Sequence, residues 1–99
     1  MIITTVEDSL RKYIQAVTIL YTDELNRIAE KVKDTVYPGY LQEQVSVIRG
    51  RAHELLMLLG WLKDDMGTEE LEQGLYTVYG MAVDLQGRIH REHYKDTET

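Results

Sequence analysis

The stretch from Leu41 to Met66 places the tightest constraint on how this chain can fold. Its apolar residues recur at alternating intervals of four and three, the period of a helix packed along one seam; they are Leu41, Val45, Ile48, Ala52, Leu55, Leu59, Leu62 and Met66. The second half, Leu55 to Leu62, is apolar on almost every side, which is more than two neighbouring helices would cover. We therefore expect a central helix over 41–65 with some apolar surface left for another contact.

A longer amphipathic helix is predicted before it, over 5–36. Thr4 and Glu7 have the spacing of a capping box, and an apolar stripe follows from Leu10 to Val36. Pro38 ends this helix, because proline lacks an amide donor and disfavours helical geometry in the residue before it. The turn that follows is short, which favours antiparallel packing of the first two helices.

A third helix is predicted over 68–93. Thr68 is the expected N-cap, and the three glutamates of the first turn lie where the helix dipole favours negative charge. Its apolar set repeats the four-three spacing of the central helix: Leu71, Leu75, Val78, Ala82, Leu85 and Ile89. Gly67, just before it, is expected to adopt the left-handed conformation that ends many helices.

These patterns predict an all-α protein: a three-helix antiparallel up-down-up bundle, a single helical domain over 1–99 with a polar tail at 94–99. A chain of 99 residues, 43% hydrophobic with one proline, suits one small helical core. The absence of cysteine excludes disulfides and thiolate metal sites. No secretion signal or membrane-length apolar run is visible, so we expect a cytoplasmic protein with no membrane partner.

No residue set carries the signature of catalysis or of a cofactor. The two serines lie in no strained or glycine-rich elbow, and no glycine-rich phosphate loop is present. His90 and His93 are three apart, but two ligands fall short of a closed metal site. His53 lacks the Glu-x-x-His spacing of carboxylate-bridged metal bundles. We therefore expect no enzyme, no cofactor, no metal and no small-molecule substrate.

Three groups of residues are candidates for binding a protein partner. Met57 and Trp61 project away from the seam as an apolar ridge, unless the first helix wraps round to bury Trp61. Arg49 and Arg51 form a basic pair that either anchors an acidic partner, or merely solvates the helix face or bridges to a neighbouring helix. On the third helix, Gly80 and Gly87 form a smooth strip for close helix approach, or are merely tolerated on a solvated face; the strip is flanked by Tyr76 and Tyr79.

The step Ile48-Arg49-Gly50-Arg51, followed by Leu55 and Leu59, resembles small helical proteins encoded among bacteriophage structural and assembly genes. The resemblance covers the central helix. It implies a virion component or assembly helper that acts by contact alone, in the host cytoplasm or in the virion, and it assigns no catalytic residue.

The function expected first is therefore a non-enzymatic protein–protein interaction module that binds a protein partner or itself. The alternative is an acidic inhibitor or decoy that binds a basic surface of a nucleic-acid-handling protein of the host. A net charge of −6 disfavours binding to nucleic acid directly. The decoy would use the carboxylates Asp64, Asp65, Glu69, Glu70 and Glu72.

Overall fold

The chain folds into three α-helices. In the computed structural model, which describes the backbone of residues 2–94 and side chains from Val6 onward, α1 spans Ile2–Lys31, α2 spans Pro38–Leu62 and α3 spans Glu69–His93. No strand occurs within that range. The all-α class and the order of three helices are thus confirmed. The predicted tail 94–99 lies, apart from Tyr94, outside the described residues.

The two four-three seams form the centre of the core. All six predicted apolar positions of α3 are buried, and the α2 seam is buried at Leu41, Val45, Ile48, Ala52 and Leu59. Leu55 and Leu62 are partly buried against the same cluster, and Met66 belongs to it. The contact between α2 and α3 is the most extensive of the three helix pairs, and that between α1 and α2 is the least.

The molecule is elongated, with principal extents of 60 × 21 × 16 Å. Its radius of gyration is 16.3 Å, whereas a compact domain of this length has about 13 Å. A long, thin bundle has little interior for its surface area, so many large side chains stay in contact with solvent. This shape explains why Tyr13, Leu20 and Val36 of the predicted α1 stripe are exposed.

Helix α1 begins and ends earlier than predicted. It starts at Ile2, so Thr4 lies within the helix and not at its N-cap. It ends at Lys31, five residues before the predicted end at Val36. The amide of Tyr37 donates to Thr35 Oγ1 at 3.1 Å, a local bond that competes with helical hydrogen bonding. Because Pro38 also restricts Tyr37, the segment turns before the proline.

The turn between α2 and α3 also differs from the prediction. Gly67 does not adopt the left-handed conformation: no glycine in the described chain has a positive φ. Instead α2 ends at Leu62, three residues earlier than expected. The carbonyl of Leu62 accepts hydrogen bonds from the amides of Asp65 and Met66 at 2.9 and 3.0 Å. Thr68 takes the N-cap position of α3 without a side-chain cap hydrogen bond. The backbone of α2 also continues further toward the N-terminus, because Pro38 occupies the first helical position, where proline is well tolerated.

Side chains of α3 cap the carboxyl end of α1. Arg88 Nη2 donates to the carbonyl of Ala29 at 3.3 Å, and the His93 ring contacts the carbonyl of Val32 through Nε2. The last carbonyls of a helix lack partners within the helix, so these bonds hold α1 in place. Further along, α1 approaches α3 closely at Gly74, where an added Cβ would lie 3.2 Å from Thr18 Cγ2.

We predict opposite consequences for alanine at two helical glycines of α3. Gly80→Ala should stabilise the protein by about 0.5–1 kcal/mol, because the position opens to solvent and alanine favours the helix. Gly74→Ala should give less or be destabilising, since Thr18 must move. In a Thr18→Ser background, which removes the methyl group, Gly74→Ala should recover the gain. Thermal unfolding followed by circular dichroism measures the cycle; equal effects at both glycines in the wild-type background would contradict the close approach.

Candidate interaction surfaces

A polar cluster joins the exposed side of α2 to α3. Arg49 Nε donates to Tyr79 Oη at 3.3 Å, and Arg49 Nη1 donates to Gln86 Oε1 at 2.9 Å. The guanidinium carbon lies 5.3 Å from the centroid of the Tyr79 ring, a cation–π geometry. Gln86 in turn donates from Nε2 to Ser46 Oγ at 2.8 Å. Arg49 therefore bridges two helices, the structural alternative weighed for it from the sequence.

The second arginine of the basic pair is placed differently. Arg51 lies two residues beyond Arg49 on α2, is exposed, and makes no hydrogen bond or ion pair with the described residues. Successive helical positions differ by about 100°, so two residues apart point to different sides. Of the two predicted anchors, Arg51 is the one whose charge is available to a partner.

Met57 and Trp61 lie on the outer side of α2, as the sequence indicated. Trp61 is 77% exposed and Met57 is 51% exposed, so α1 does not wrap round to cover the tryptophan. An added Cβ at Gly50 or Gly60, on the same helix, meets nothing within 4 Å. This part of α2 carries apolar side chains in open solvent.

A further set of exposed side chains lies on α1 and α2, and we call it the α1–α2 face; Tyr40 and Val47 of this set line a cleft with Glu24 of α1. It consists of exposed side chains at seven-residue spacing on each helix: Val6, Tyr13, Leu20 and Arg27 on α1, and Tyr40, Val47, Glu54 and Trp61 on α2. Partly buried Leu10, Leu55 and Leu62 pack against the core. Sequence reasoning missed this face, because it placed Tyr13 and Leu20 in one broad core stripe. The seven-residue repeat was the available signal.

The outer side of α3 carries the predicted glycine strip with one difference. Tyr76 is exposed and Gly80 opens to solvent, but Tyr79 turns toward α2 and packs against Arg49. Val83, three residues after Gly80, flanks the strip in place of Tyr79. There is less free space beside Gly87 than beside Gly80. A Cβ added at Gly87 would lie 3.2 Å from Arg91 Nη1, whereas a Cβ added at Gly80 meets nothing within 4 Å.

The five carboxylates considered for the decoy lie at or next to the turn between α2 and α3. Asp64, Glu69, Glu70 and Glu72 line an open cleft of about 630 Å³. Arg11 and Lys63 line the same cleft and offset part of its charge. Within residues 6–94 no basic nitrogen lies within 4 Å of these carboxylates. The residues that line this cleft are charged or small, whereas small-molecule pockets are lined mainly by apolar and aromatic side chains.

The two histidines considered as metal ligands have separate surroundings. His93 contacts the Val32 carbonyl, and the His90 ring lies 5.8 Å from the Tyr94 ring between centroids. Among the described residues, no three histidine, aspartate or glutamate side chains converge in a way that would hold a metal ion.

No family model, no curated protein and no solved structure matches this chain. Across residues 2–94, no helix combines the length and the apolar content needed to cross a bilayer.

We predict that Arg49 and Tyr79 stabilise the fold as a coupled pair. Arg49→Ala and Tyr79→Ala should each lower the free energy of unfolding, and the two effects should fail to add by about 0.5–1 kcal/mol, the range of an exposed cation–π contact. Urea unfolding of both single variants and the double variant measures the coupling. Arg51→Ala, a neighbour with no such contact, is the control; additive losses at Arg49 and Tyr79 would refute the pairing.

Proposed function

We propose that this protein is a non-enzymatic interaction module that binds a protein partner, or itself, through exposed apolar helix surfaces. The observation that carries the proposal is the exposure of Trp61 together with Met57 on the outer side of α2. Tryptophan and methionine are enriched in protein interfaces. Contiguous exposed apolar patches of several hundred Å² usually mark contacts.

We infer an up-down-up course of the helices, antiparallel between neighbours along the chain. On the α2–α3 pair, Gln42 bonds to the Gln86 carbonyl and Arg49 to Tyr79, so numbers rise on one helix as they fall on the other. Between α1 and α3, Thr18 lies at Gly74 and Ala29 at Arg88, so the numbers rise together. These contacts support parallel α1 and α3, with α2 running the opposite way.

The resemblance of the central helix to small phage structural and assembly proteins gives the proposal its biological setting. In that setting the protein is a virion component or an assembly helper, located in the host cytoplasm or the virion. Ile48 and Leu59 of the resembling segment are buried, while Gly50 and Arg51 between them face solvent. The exposed members of the segment are therefore the ones placed to meet a partner.

We predict that Trp61→Glu removes partner binding while leaving the fold intact. Because Trp61 is 77% exposed, the free energy of unfolding should change by less than about 0.5 kcal/mol. Tyr76→Glu, at a 63% exposed aromatic on α3, is the matched control. Tagged wild-type and variant chains are used to capture partners from native cell extract at low and high salt. Loss of a salt-resistant partner with Trp61→Glu alone supports the α2 surface; loss with Tyr76→Glu alone assigns the contact to the glycine strip.

A second candidate function, the acidic decoy, is favoured by one observation: four carboxylates line a single open cleft at the α2–α3 turn. Such a surface attracts a basic partner, and the complex weakens steeply with salt. Asp64→Asn with Asp65→Asn reduces this charge without touching the first turn of α3. A partner lost with this double variant and with moderate salt, yet retained by Trp61→Glu, would establish the decoy in place of the apolar contact.

A further inference from the structure

We propose that the recess between α2 and α3 around Gly50 binds a phosphate group, either free or esterified to a small molecule. The recess has a volume of about 370 Å³ and is lined by Ser46, Arg49, Gly50, His53 and Tyr79. This site goes beyond the interaction role proposed above, which rests on Met57 and Trp61. Its position on the helices, its hydrogen-bond donors and its charge carry the proposal.

Four of the lining residues lie along one side of α2. Ser46, Gly50 and His53 follow one another at intervals of four and three, and Arg49 is one turn from both Ser46 and His53. Residues spaced in this way share a helix face. Tyr79 lies opposite on α3, with its ring centroid 6.4 Å from that of His53. A Cβ added at Gly50 meets nothing within 4 Å, so the middle of the recess is open to a ligand.

The hydrogen bonds around the recess leave several protons of its side chains unused. Tyr79 Oη accepts from Arg49 Nε at 3.3 Å, and Ser46 Oγ accepts from Gln86 Nε2 at 2.8 Å. Neither hydroxyl donates to another residue in the described part of the chain, so each O–H can donate to a ligand. Within the same range, Arg49 Nη2 and the His53 ring form no hydrogen bond. The recess therefore offers donors from four side chains.

The charge of the recess favours an oxyanion. Among the described residues no carboxylate lines it, although the chain has 17 acidic residues. Arg49 supplies a positive charge, and its partners Tyr79 and Gln86 are neutral, so no ion pair cancels that charge. Hydrogen bonds from such donors to an anion are the strong ones. A phosphate monoester has three acceptor oxygens and a carboxylate has two, so phosphate makes fuller use of four donors.

The flanks of the recess restrict the ligand to a small one. Glu43 and Glu54 are exposed on α2, one turn before Ser46 and directly after His53. A chain of phosphates that extends past the recess would meet these carboxylates, and the net charge of −6 would also repel it. A single phosphate group contacts only the part of α2 that carries the donors.

Nuclear magnetic resonance of the isotope-labelled full chain tests the site, with inorganic phosphate and glycerol 2-phosphate as probes at constant ionic strength. We expect the amide signals of residues 46–53 and of Tyr79 to shift and saturate with both probes. The lower of the two dissociation constants shows whether the free ion or the ester is the better ligand. Sodium chloride and sodium acetate should give no saturable shift. Binding of acetate or chloride as tight as that of phosphate would overturn the proposal, as would a short oligothymidylate that binds more tightly than glycerol 2-phosphate.

Two matched glycine variants locate the site. Gly50→Glu should raise the dissociation constant for phosphate at least about tenfold, because a tethered carboxylate competes for the same donors. Gly60→Glu is the control, since it adds the same charge to the same helix at another glycine where a Cβ meets nothing within 4 Å. It should change the constant less than about twofold, because salt screens distant charges. Equal losses in the two variants would show general repulsion of anions and overturn the proposal.

A second pair of variants tests a hydroxyl donor without changing the charge. Tyr79→Phe keeps the ring beside Arg49 but removes Oη, so phosphate binding should weaken about three- to tenfold. Tyr76→Phe, at an exposed tyrosine one turn earlier on α3, should leave binding unchanged. Phosphate binding that is the same in Tyr79→Phe as in the wild type would show that this hydroxyl does not contact the ligand, and would overturn the proposed set of donors.

Discussion

The packing of α2 on α3 through two matched four-three seams is the contact on which the rest of the structure depends. It buries both seams, and the Arg49, Tyr79 and Gln86 cluster closes its exposed edge with bonds of 2.9–3.3 Å. Helix α1 is added to this pair from one side, since it contacts α3 far more than α2. The open edge between α1 and α2, and with it the exposed apolar face, follows directly from that asymmetry.

The sequence predicted the structure best where a helix buries a single line of apolar residues. Both seams were predicted position by position, because a helix buried along a single line leaves an unbroken four-three pattern. For α1 the apolar pattern was broader. Ile14, Leu25 and Ile28 are buried, whereas Tyr13 and Leu20, which lie beside this buried stripe on the helical wheel, are exposed. Two superimposed apolar stripes, one for the core and one for another contact, look like a single wide stripe in a sequence.

Helix ends and turn geometry were predicted less well. Helix α1 ends at Lys31, before the turn in which the Tyr37 amide donates to Thr35 Oγ1, and Gly67 keeps a negative φ where a left-handed cap was expected. For the candidate site, the exposure of Met57 and Trp61 followed from their spacing. The bridging of Arg49 and the inward turn of Tyr79 did not, because they depend on how α2 and α3 lie against each other.

The central claim is that the apolar surface around Trp61 is open in the isolated chain and covered when the protein functions. Trp61 is the only tryptophan, so its fluorescence reports on this surface alone. The most direct measurement is acrylamide quenching of Trp61 as the protein concentration is raised, with the association state followed in parallel by sedimentation. The account predicts strong quenching in dilute solution, with protection and a blue-shifted emission at high concentration. Quenching that stays at the dilute value while sedimentation shows dimers would contradict it.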